Sequence, residues 1–421
     1  MNSVEGLRGC HVRAERVGPA FDLLAGYGSS GCFMERSGLG IAGAGRATAV
    51  FSMALAGPKA GRASLKELFG GFEIGHIEPG APPPLLFGSV PFDAERSGTF
   101  IVPARTIRRD HEGETWAIDV ARDGAFETQP SVGPSGSKTP SAPFSGMQLF
   151  PEPLPEAYER AVGVAVERIR TGHLKKVVLA RTLRVEANRR IDPHQLLRRL
   201  RAVEPDGYTF AMDLEEGRTL VGASPELLIS RFGREIRANP LAGTAPRFGD
   251  PNEDRAAAEA LGSSAKDRQE HAIVVENVFR VLHPLCDELH YDRDPQLLAT
   301  ANVWHLSTRF RGTLKLPVPD ALELVAALHP TPAVCGEPRE EAMRLIHELE
   351  PVARDAYAGA VGWMDASGDG VWALALRCAE LRGDGARLYA GAGVVADSDP
   401  AAELDETERK FRAFLDALRW G

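Results

Sequence analysis

The end of the chain carries the most regular pattern of apolar positions. Phe411, Phe414, Leu415 and Leu418 are separated by three or four residues, so they fall on one side of a helix. Most of the remaining positions are polar or charged. This helical spacing predicts a helix over residues 403–421 that buries one face and exposes the other.

The same predicted helix carries a second line of residues, which is ionic. Glu403, Glu406 and Lys410 share a helical face, because residues three and four apart are neighbours on a helix surface. A Gly391-Ala-Gly393 turn precedes the helix. Carboxylates and a lysine after such a turn indicate a site for a metal ion and an anionic ligand.

Periodicity also predicts the other elements and the fold class. Helical spacing predicts helices over residues 155–170, 192–203, 253–285 and 338–349. Runs of apolar and β-branched residues predict strands over residues 47–53, 98–102, 175–185, 208–214, 219–230, 235–239, 304–312, 359–364 and 371–380. Grouped strands with helices between them favour an α+β fold with large antiparallel sheets over a doubly wound parallel sheet.

One segment interrupts this pattern. Residues 129–143 are rich in Pro, Gly and Ser and nearly free of apolar side chains, which is typical of a linker. We therefore divide the chain into a β-rich N-terminal region, residues 1–150, that completes the fold, and a catalytic region, residues 151–421. A surface loop inside one domain explains the same composition.

Composition excludes several classes of protein. The net charge of −9 argues against nucleic acid as a partner, because no strongly basic face is implied. The five cysteines form no CxxC pair, which fits a reducing compartment. No apolar stretch has the length of a membrane helix or a signal core. We expect a cytoplasmic monomer that acts on a small molecule.

The predicted helix over residues 253–285 supplies more candidate metal ligands. Asp267, Glu270 and His271 lie three or four positions apart and share a face. Magnesium takes one or two carboxylates plus substrate and water oxygens. Glu270 with Glu406 from the last helix suits such a site. An acidic helix face that is simply solvated gives the same pattern.

Two ionisable residues interrupt apolar runs. Lys176 precedes Val177-Val-Leu-Ala180 and, if it faces the interior, burial lowers its pKa toward that of a general base. Glu226 follows Gly222-Ala-Ser-Pro225 and, if it is desolvated, it keeps its proton and can act as an acid. A strand-end lysine and an edge-strand glutamate that both reach solvent are the alternatives.

Together these segments resemble the chorismate-utilising enzymes, and most closely the isochorismate synthases. Seven blocks between residues 155 and 415 carry the resemblance in the family's order. They are Lys176-Val-Val-Leu-Ala-Arg181, Gly222-Ala-Ser-Pro-Glu-Leu-Leu228, Leu241-Ala-Gly-Thr244, Ser264-Ala-Lys-Asp-Arg-Gln-Glu-His271, Leu328-His-Pro-Thr-Pro-Ala-Val-Cys-Gly336, Leu374-Ala-Leu-Arg377, and Gly391-Ala-Gly393 with Glu403, Glu406 and Lys410. The resemblance implies the fold of anthranilate synthase component I, with sheets and helices around a central pocket.

The resemblance also implies roles for the candidate residues. Lys176 resembles the base that activates water, and Glu226 the acid that protonates the departing C4 hydroxyl of chorismate. Glu270 and Glu406 resemble the Mg²⁺ ligands, with Asp267 and Glu403 beside them. The remaining residues resemble the groups that bind the substrate's ring and carboxylates: Gly243, Thr244, His305, Ala333, Val334, Tyr357, Arg377, Gly391, Gly393 and Lys410.

Within the family, the motif around Ala333 favours one reaction. Branches that add ammonia or eliminate pyruvate resemble one another in having Thr where this chain has Ala333. We therefore expect Mg²⁺-dependent conversion of chorismate to isochorismate, with salicylate synthase as the alternative. A chorismate-binding subunit without catalysis and an unrelated magnesium-binding domain are the non-family hypotheses. The downstream pathway, menaquinone or siderophore, stays open.

Overall fold

The computed structural model describes residues 9–18, 21–47, 51–53, 69–70, 72–122, 126 and 146–419. The predicted linker, residues 129–143, and part of the predicted strand over residues 47–53 lie outside these ranges. The strands β1 to β25 are, in chain order, Cys10–Val17, Cys32–Arg36, Leu39–Ala44, Phe51–Met53, Phe72–Ile77, Leu85–Val90, Gly98–Ile101, Arg105–Arg109, Thr115–Arg122, Gln148–Glu152, Lys176–Glu186, Tyr208–Asp213, Arg218–Ser224, Leu227–Phe232, Glu235–Asn239, Leu241–Pro246, Cys286–Tyr291, Gln296–Ala299, Val303–Ser307, Phe310–Leu314, Gly336–Glu337, Ala360–Asp365, Gly370–Leu374, Cys378–Arg382 and Gly385–Val394. The helices α1 to α7 are Pro155–Arg170, Pro193–Val203, Pro251–Ser263, Ala265–Leu282, Ala321–Leu328, Arg339–Leu349 and Pro400–Arg419.

Two large sheets organise the described part of the chain. One has the strand order β10-β11-β25-β24-β13-β12-β2-β3-β8-β9-β1-β5, with β21 also paired to β11. The other has the order β17-β20-β15-β14-β23-β22-β6-β7-β4, and a small third sheet has the order β16-β19-β18. The pairs are antiparallel except for β1 with β5. The predicted α+β class is confirmed.

Strands from before and after residue 150 share both large sheets. β2 pairs with β12, and β6 pairs with β22. The apolar side chains of Phe33, Phe87 and Phe210 are fully buried at these seams. The division of the chain at residue 150 remains a prediction.

The terminal helix α7 follows its sequence pattern. The Asp399 side chain accepts a hydrogen bond from the Ala402 amide at 2.9 Å, which satisfies one of the free N–H groups at the helix start. Phe411, Phe414 and Leu418 are buried as predicted, and the helix packs against β25 and α1. Its polar side is thereby turned toward the N-terminal end of α4.

Several predicted elements are divided in the structure. The predicted helix over residues 253–285 is two helices, α3 and α4, because Ser264 has extended backbone and its side chain caps α4 by accepting from the Asp267 amide. The predicted strands over residues 219–230, 304–312 and 371–380 are each two strands that lie in different sheets. Periodicity continued across these breaks, so the sequence pattern concealed them.

Among the described residues, none of the helices combines the length and the apolar content that a membrane crossing requires.

Candidate active site

Two ionisable residues lie where the chain passes from one large sheet to the other, within the segments that were each predicted to be a single strand. Glu226 lies between β13 and β14, and Arg377 lies between β23 and β24. Arg377 has a φ of 45°, in the left-handed region, directly before β24 begins at Cys378. Because both sheets converge at these crossings, the two side chains reach the same cavity.

The cavity lies between the sheets, α4 and α7, and its space, including solvent at its mouth, is about 580 Å³. Most of the predicted site residues line it, namely Glu226, Gly243, Thr244, Glu270, His305, Ala333, Val334, Tyr357, Arg377, Gly391, Gly393, Glu406 and Lys410. The structure therefore brings together residues that are up to 184 positions apart in the chain, from Glu226 to Lys410.

Glu226 is buried and only weakly hydrogen bonded. Its side chain is 4% exposed and accepts from the Leu241 amide at 3.3 Å. Burial raises the pKa of Glu226 to about 8, although Lys176, Arg377 and Lys410 are close enough to oppose the shift. A carboxylic acid in this state holds its proton at neutral pH and can donate it.

Lys176 lies behind the cavity wall rather than in it. It begins β11, is 1% exposed, and its Nζ lies 3.0 Å from Oε1 of Glu270. Both side chains pass over Gly393, where an added Cβ would come within 2.2 Å of the Glu270 oxygen and 3.1 Å of the Lys176 Cε. Lys176 thus faces the interior, and Glu270 connects it to the cavity.

The candidate metal ligands stand at the boundary between this cavity and a second one. Glu270, Glu406, Thr244 and Gly393 line both cavities. The outer cavity is also lined by the residues predicted to lie beside the ligands, Asp267 and Glu403, and by Lys266.

Lysines neutralise these carboxylates in the structure. Lys410 donates a hydrogen bond to Glu406 and another, of 2.8 Å, to the carbonyl oxygen of Gly391. Lys266 donates to Glu403 at 3.1 Å. Burial opposes ionisation of Glu406, but Lys410 outweighs it and lowers the pKa of Glu406. The pKa of Glu403 is instead raised to about 7 by burial and by the negative charge of Glu406.

The donor set fits a hard divalent cation. Glu270 and Glu406 supply carboxylate oxygens on one shared wall, and Glu403 and Asp267 line the cavity beside them. Among the described residues, no group of three or more His, Cys, Asp or Glu side chains forms a metal cluster. Two carboxylates completed by substrate and water oxygens are typical of magnesium.

His305 is neutral, and its hydrogen bonds assign its tautomer. Its Nδ1 lies 3.2 Å from the carbonyl oxygen of Gly243, so Nδ1 carries the proton. Its Nε2 accepts from Nη2 of Arg377 at 3.0 Å. Burial and the neighbouring charges of Arg377 and Lys410 keep the pKa of His305 well below its usual range. His305 therefore orients the guanidinium of Arg377.

The opposite wall is aromatic and apolar. The ring of Tyr357 stacks on that of Tyr389 with 5.0 Å between centroids, and its hydroxyl lies 3.0 Å from the position of a Cβ added to Gly391. Ala333 and Val334 contribute only apolar side-chain atoms.

Sequence reasoning missed some residues around the cavity. Val178 and Leu376 line it, and Lys266 pairs with Glu403. Arg354 and Glu350 lie beneath it as a buried ion pair. Val178 and Lys266 belong to the motifs quoted above, whereas Arg354 stands in a loop with no periodic signal.

Comparison with known proteins identifies the family. The profile of a family described as chorismate binding enzyme matches residues 83–419, which extends farther upstream than the motifs. The isochorismate synthase DhbC of Bacillus subtilis is 42% identical over 346 residues, covering 80% of this chain and 81% of that protein. The chain therefore belongs to the chorismate binding enzymes, and the predicted family is confirmed.

Solved structures agree with this assignment. A Bacillus anthracis protein provisionally named a 2,3-dihydroxybenzoate-specific isochorismate synthase matches with a TM-score of 0.80 and 38% identity, covering 94% of this chain and 98% of that one. Anthranilate synthase component I from Streptococcus pneumoniae matches with a TM-score of 0.66 and 26% identity, covering 78% and 80%. The predicted fold is the one these proteins share.

Proposed function

We propose that this protein is an isochorismate synthase, an isomerase that converts chorismate to isochorismate with Mg²⁺. The observation that carries the proposal is Glu226, a buried carboxyl with a pKa of about 8 that faces Arg377 and Lys410 across one cavity. The reaction adds water at C2 of the ring, shifts the double bonds and releases the C4 hydroxyl.

Glu226 is the acid in this mechanism. Hydroxide is a poor leaving group, so the C4 oxygen must gain a proton as its bond to carbon breaks. The protonated Glu226 supplies that proton and is left as a carboxylate. A positioned acid of this kind contributes roughly 10²–10⁴ in rate.

Lys176 is the base. Water attacks C2 and gives up a proton to the Lys176 amine, whose own proton must first pass to solvent as the ion pair with Glu270 opens. Its position behind Glu270 and Gly393 keeps it away from bulk solvent. The net transfer moves one proton from Glu226 to the released water and one from the attacking water to Lys176, and the return of one proton from Lys176 to Glu226 through solvent restores the enzyme.

Arg377 and Lys410 bind the two carboxylates of the substrate. Charge-assisted hydrogen bonds to a guanidinium or an ammonium are the strong ones. The neutral His305 fixes the plane of the Arg377 fork through Nε2. The amides around Gly391 and Gly393 and the Tyr357 hydroxyl add neutral donors beside them, while Gly243 and Thr244 lie along the ring.

Glu270 and Glu406 are the residues that would hold Mg²⁺, with Asp267 and Glu403 beside them. When bound, the ion would stabilise negative charge on the ring carboxylate during the rearrangement. Glu270 pairs with Lys176 and Glu406 pairs with Lys410 in the structure. The two lysines would therefore compete with the metal for the carboxylate oxygens.

The apolar side chains of Ala333 and Val334 favour isochorismate over salicylate as the final product. Neither side chain offers a hydroxyl that could take part in eliminating pyruvate. We further propose that the protein is cytoplasmic, since Cys32, Cys286, Cys335 and Cys378 are buried thiols without a disulfide bond, and that it acts as a monomer.

Incubation of the purified protein with chorismate and Mg²⁺, followed by chromatography and NMR of the products, tests the proposal. We expect isochorismate at equilibrium with chorismate. Salicylate and pyruvate as main products would replace the proposal by the alternative, and no turnover despite chorismate binding would favour a binding subunit. The Glu226→Gln variant is the control for contaminating activity.

A further inference from the structure

Strand β11 has a gap in its hydrogen bonding on the edge opposite β25. On that edge β21 pairs with residues 176–177 and β10 pairs with residues 182–186. Between them, the Val178 amide bonds to the Cys335 carbonyl oxygen at 2.7 Å. The Val178 carbonyl and the Ala180 amide still need partners, because a buried backbone polar group without one is costly.

Two ionised side chains fill this gap. Arg354 donates from Nη2 to the Val178 carbonyl oxygen at 2.7 Å, and Glu350 accepts from the Ala180 amide at 2.7 Å. The two side chains also bond to each other, with 2.9 Å between Nε and Oε2, and they are 3% and 7% exposed. The pair therefore occupies the place of a missing strand segment.

The same guanidinium reaches the facing wall of the cavity. Nη1 of Arg354 donates to the Val334 carbonyl oxygen at 2.7 Å, and the Arg354 carbonyl accepts from the Tyr357 amide at 2.8 Å. Arg354 lies 4.1 Å from the ring centre of Phe92, which fixes its plane from one side. Arg354 thus contacts the backbone of three residues that line the cavity: Val178, Val334 and Tyr357.

We propose that the Arg354–Glu350 pair is a positioning unit that sets the separation between the Lys176 strand and the Ala333–Val334 wall. This inference rests on the proposed function, since the space between those walls is where water would meet the ring. The planar guanidinium holds both carbonyl oxygens and the carboxylate in one fixed geometry, whereas the three N–H groups of a lysine diverge from a single nitrogen. Neither residue touches the cavity itself, so their effect is on geometry.

The Arg354→Lys variant tests this, because it keeps the buried positive charge and removes the fork. A displacement of about 1 Å at a reacting group costs about 10²-fold in rate. We expect kcat to fall by about that factor, while KM changes by less than about threefold because Arg377 and Lys410 stand on other elements. Hydrogen exchange at the Ala180 amide should accelerate.

Arg108→Lys is the matched control. Arg108 forms another buried pair, with 2.9 Å between Nη1 and Oδ2 of Asp365, and packs on Trp363 away from the cavity. Its replacement should lower the melting temperature but leave kcat and KM unchanged. The proposal would be overturned if Arg354→Lys lost no more kcat than Arg108→Lys does. It would also be overturned if Arg354→Lys kept the wild-type kcat and the wild-type exchange rate at the Ala180 amide.

Failure of the proposed function gives a different result, namely a wild-type protein that forms no isochorismate. Hydrogen exchange at the Ala180 amide in Arg354→Lys then still tests whether the Arg354 guanidinium holds β11 in place. If Arg354→Lys does not fold, Glu350→Gln takes its place, since it keeps an acceptor for Ala180 and loses the charge that aligns Arg354. Unchanged kcat in a folded Glu350→Gln would then contradict the proposal.

Discussion

Lys176 and Glu270 form an ion pair of 3.0 Å that is almost completely removed from solvent. The pair exists because position 393 has no side chain: a Cβ there would lie 2.2 Å from the Glu270 oxygen and 3.1 Å from the Lys176 stem. Strands β11 and β25 bring Lys176 beside Gly393, with Val178 opposite Gly393 in the register, and helix α4 supplies Glu270. The proposed base and a proposed metal ligand therefore depend on one glycine.

Gly393→Ala should disrupt this arrangement. The added methyl group cannot coexist with the Glu270 carboxylate, so the carboxylate or β25 must move. We expect kcat to fall by at least about 10²-fold, as for other small displacements of reacting groups. Steady-state kinetics and a Mg²⁺ titration measure the effect.

Gly163→Ala is the control for the effect of adding a methyl group. Gly163 lies in α1, and a Cβ there meets nothing within 4 Å. This change should leave kcat unchanged and stabilise the protein by about 0.5–1 kcal/mol, because alanine has the higher helix propensity. Full activity in Gly393→Ala would show that the Lys176–Glu270 pair is dispensable.

Lys176→Met should abolish water addition while leaving chorismate binding nearly intact. Methionine keeps most of the apolar stem and removes the amine, so packing beneath Gly393 survives. We expect kcat to fall by about 10²–10⁴-fold, the usual contribution of a general base. Calorimetry with chorismate gives the affinity. Weakened binding with normal turnover would assign Lys176 to binding rather than to proton transfer.

Glu226 should give the reaction an upper pH limit. Its acid form is required, and its pKa of about 8 in the free protein means that kcat/KM declines as the pH rises through that value. Glu226→Gln should slow the reaction at every pH and remove this decline. A pH profile with no decline near 8 in the wild type, or an unchanged rate in the variant, would exclude Glu226 as the acid.

The same residue should affect stability in a defined direction. The pKa of Glu226 is raised from 4.5 to about 8, so between these values the folded protein holds a proton that the unfolded chain has lost. Its contribution to the free energy of unfolding therefore falls as the pH rises from 4.5 to 8. Glutamine does not ionise, so the melting temperature of Glu226→Gln should improve relative to wild type across this window.

Glu406→Gln should raise the Mg²⁺ concentration needed for half-maximal activity. The amide keeps the size of the side chain but loses the charge that attracts the ion. Asp405→Asn is the control, because Asp405 is exposed on the same helix and pairs with Arg409. Calorimetric titration with Mg²⁺ alone provides a second measurement, and identical binding curves for the three proteins would exclude Glu406 as a ligand.

Sequence periodicity predicted the elements that obey a single period. Helix α1, strand β11 and helix α7 lie within a few residues of their predicted bounds, because each helix has one buried face and the strand is a largely apolar run buried on both faces. The predictions of single strands over residues 219–230, 304–312 and 371–380 were wrong for one common reason. At Pro225, Thr308 and Arg377 the chain changes sheets within a few residues, and strand-forming residues on both sides make each pair of strands look like one.

The sequence by itself determined the family, through motifs whose residue types and order match its chemistry, and it determined the amphipathic helices, which need only local spacing. Tertiary structure alone decided that Lys176 lies behind Glu270 and that Arg354 with Glu350 completes the edge of β11. Lys176 and Glu270 are 94 positions apart in the chain, and Val178 and Arg354 are 176 positions apart. No local pattern encodes them, because side-chain burial and hydrogen-bond partners are set only when the two sheets pack.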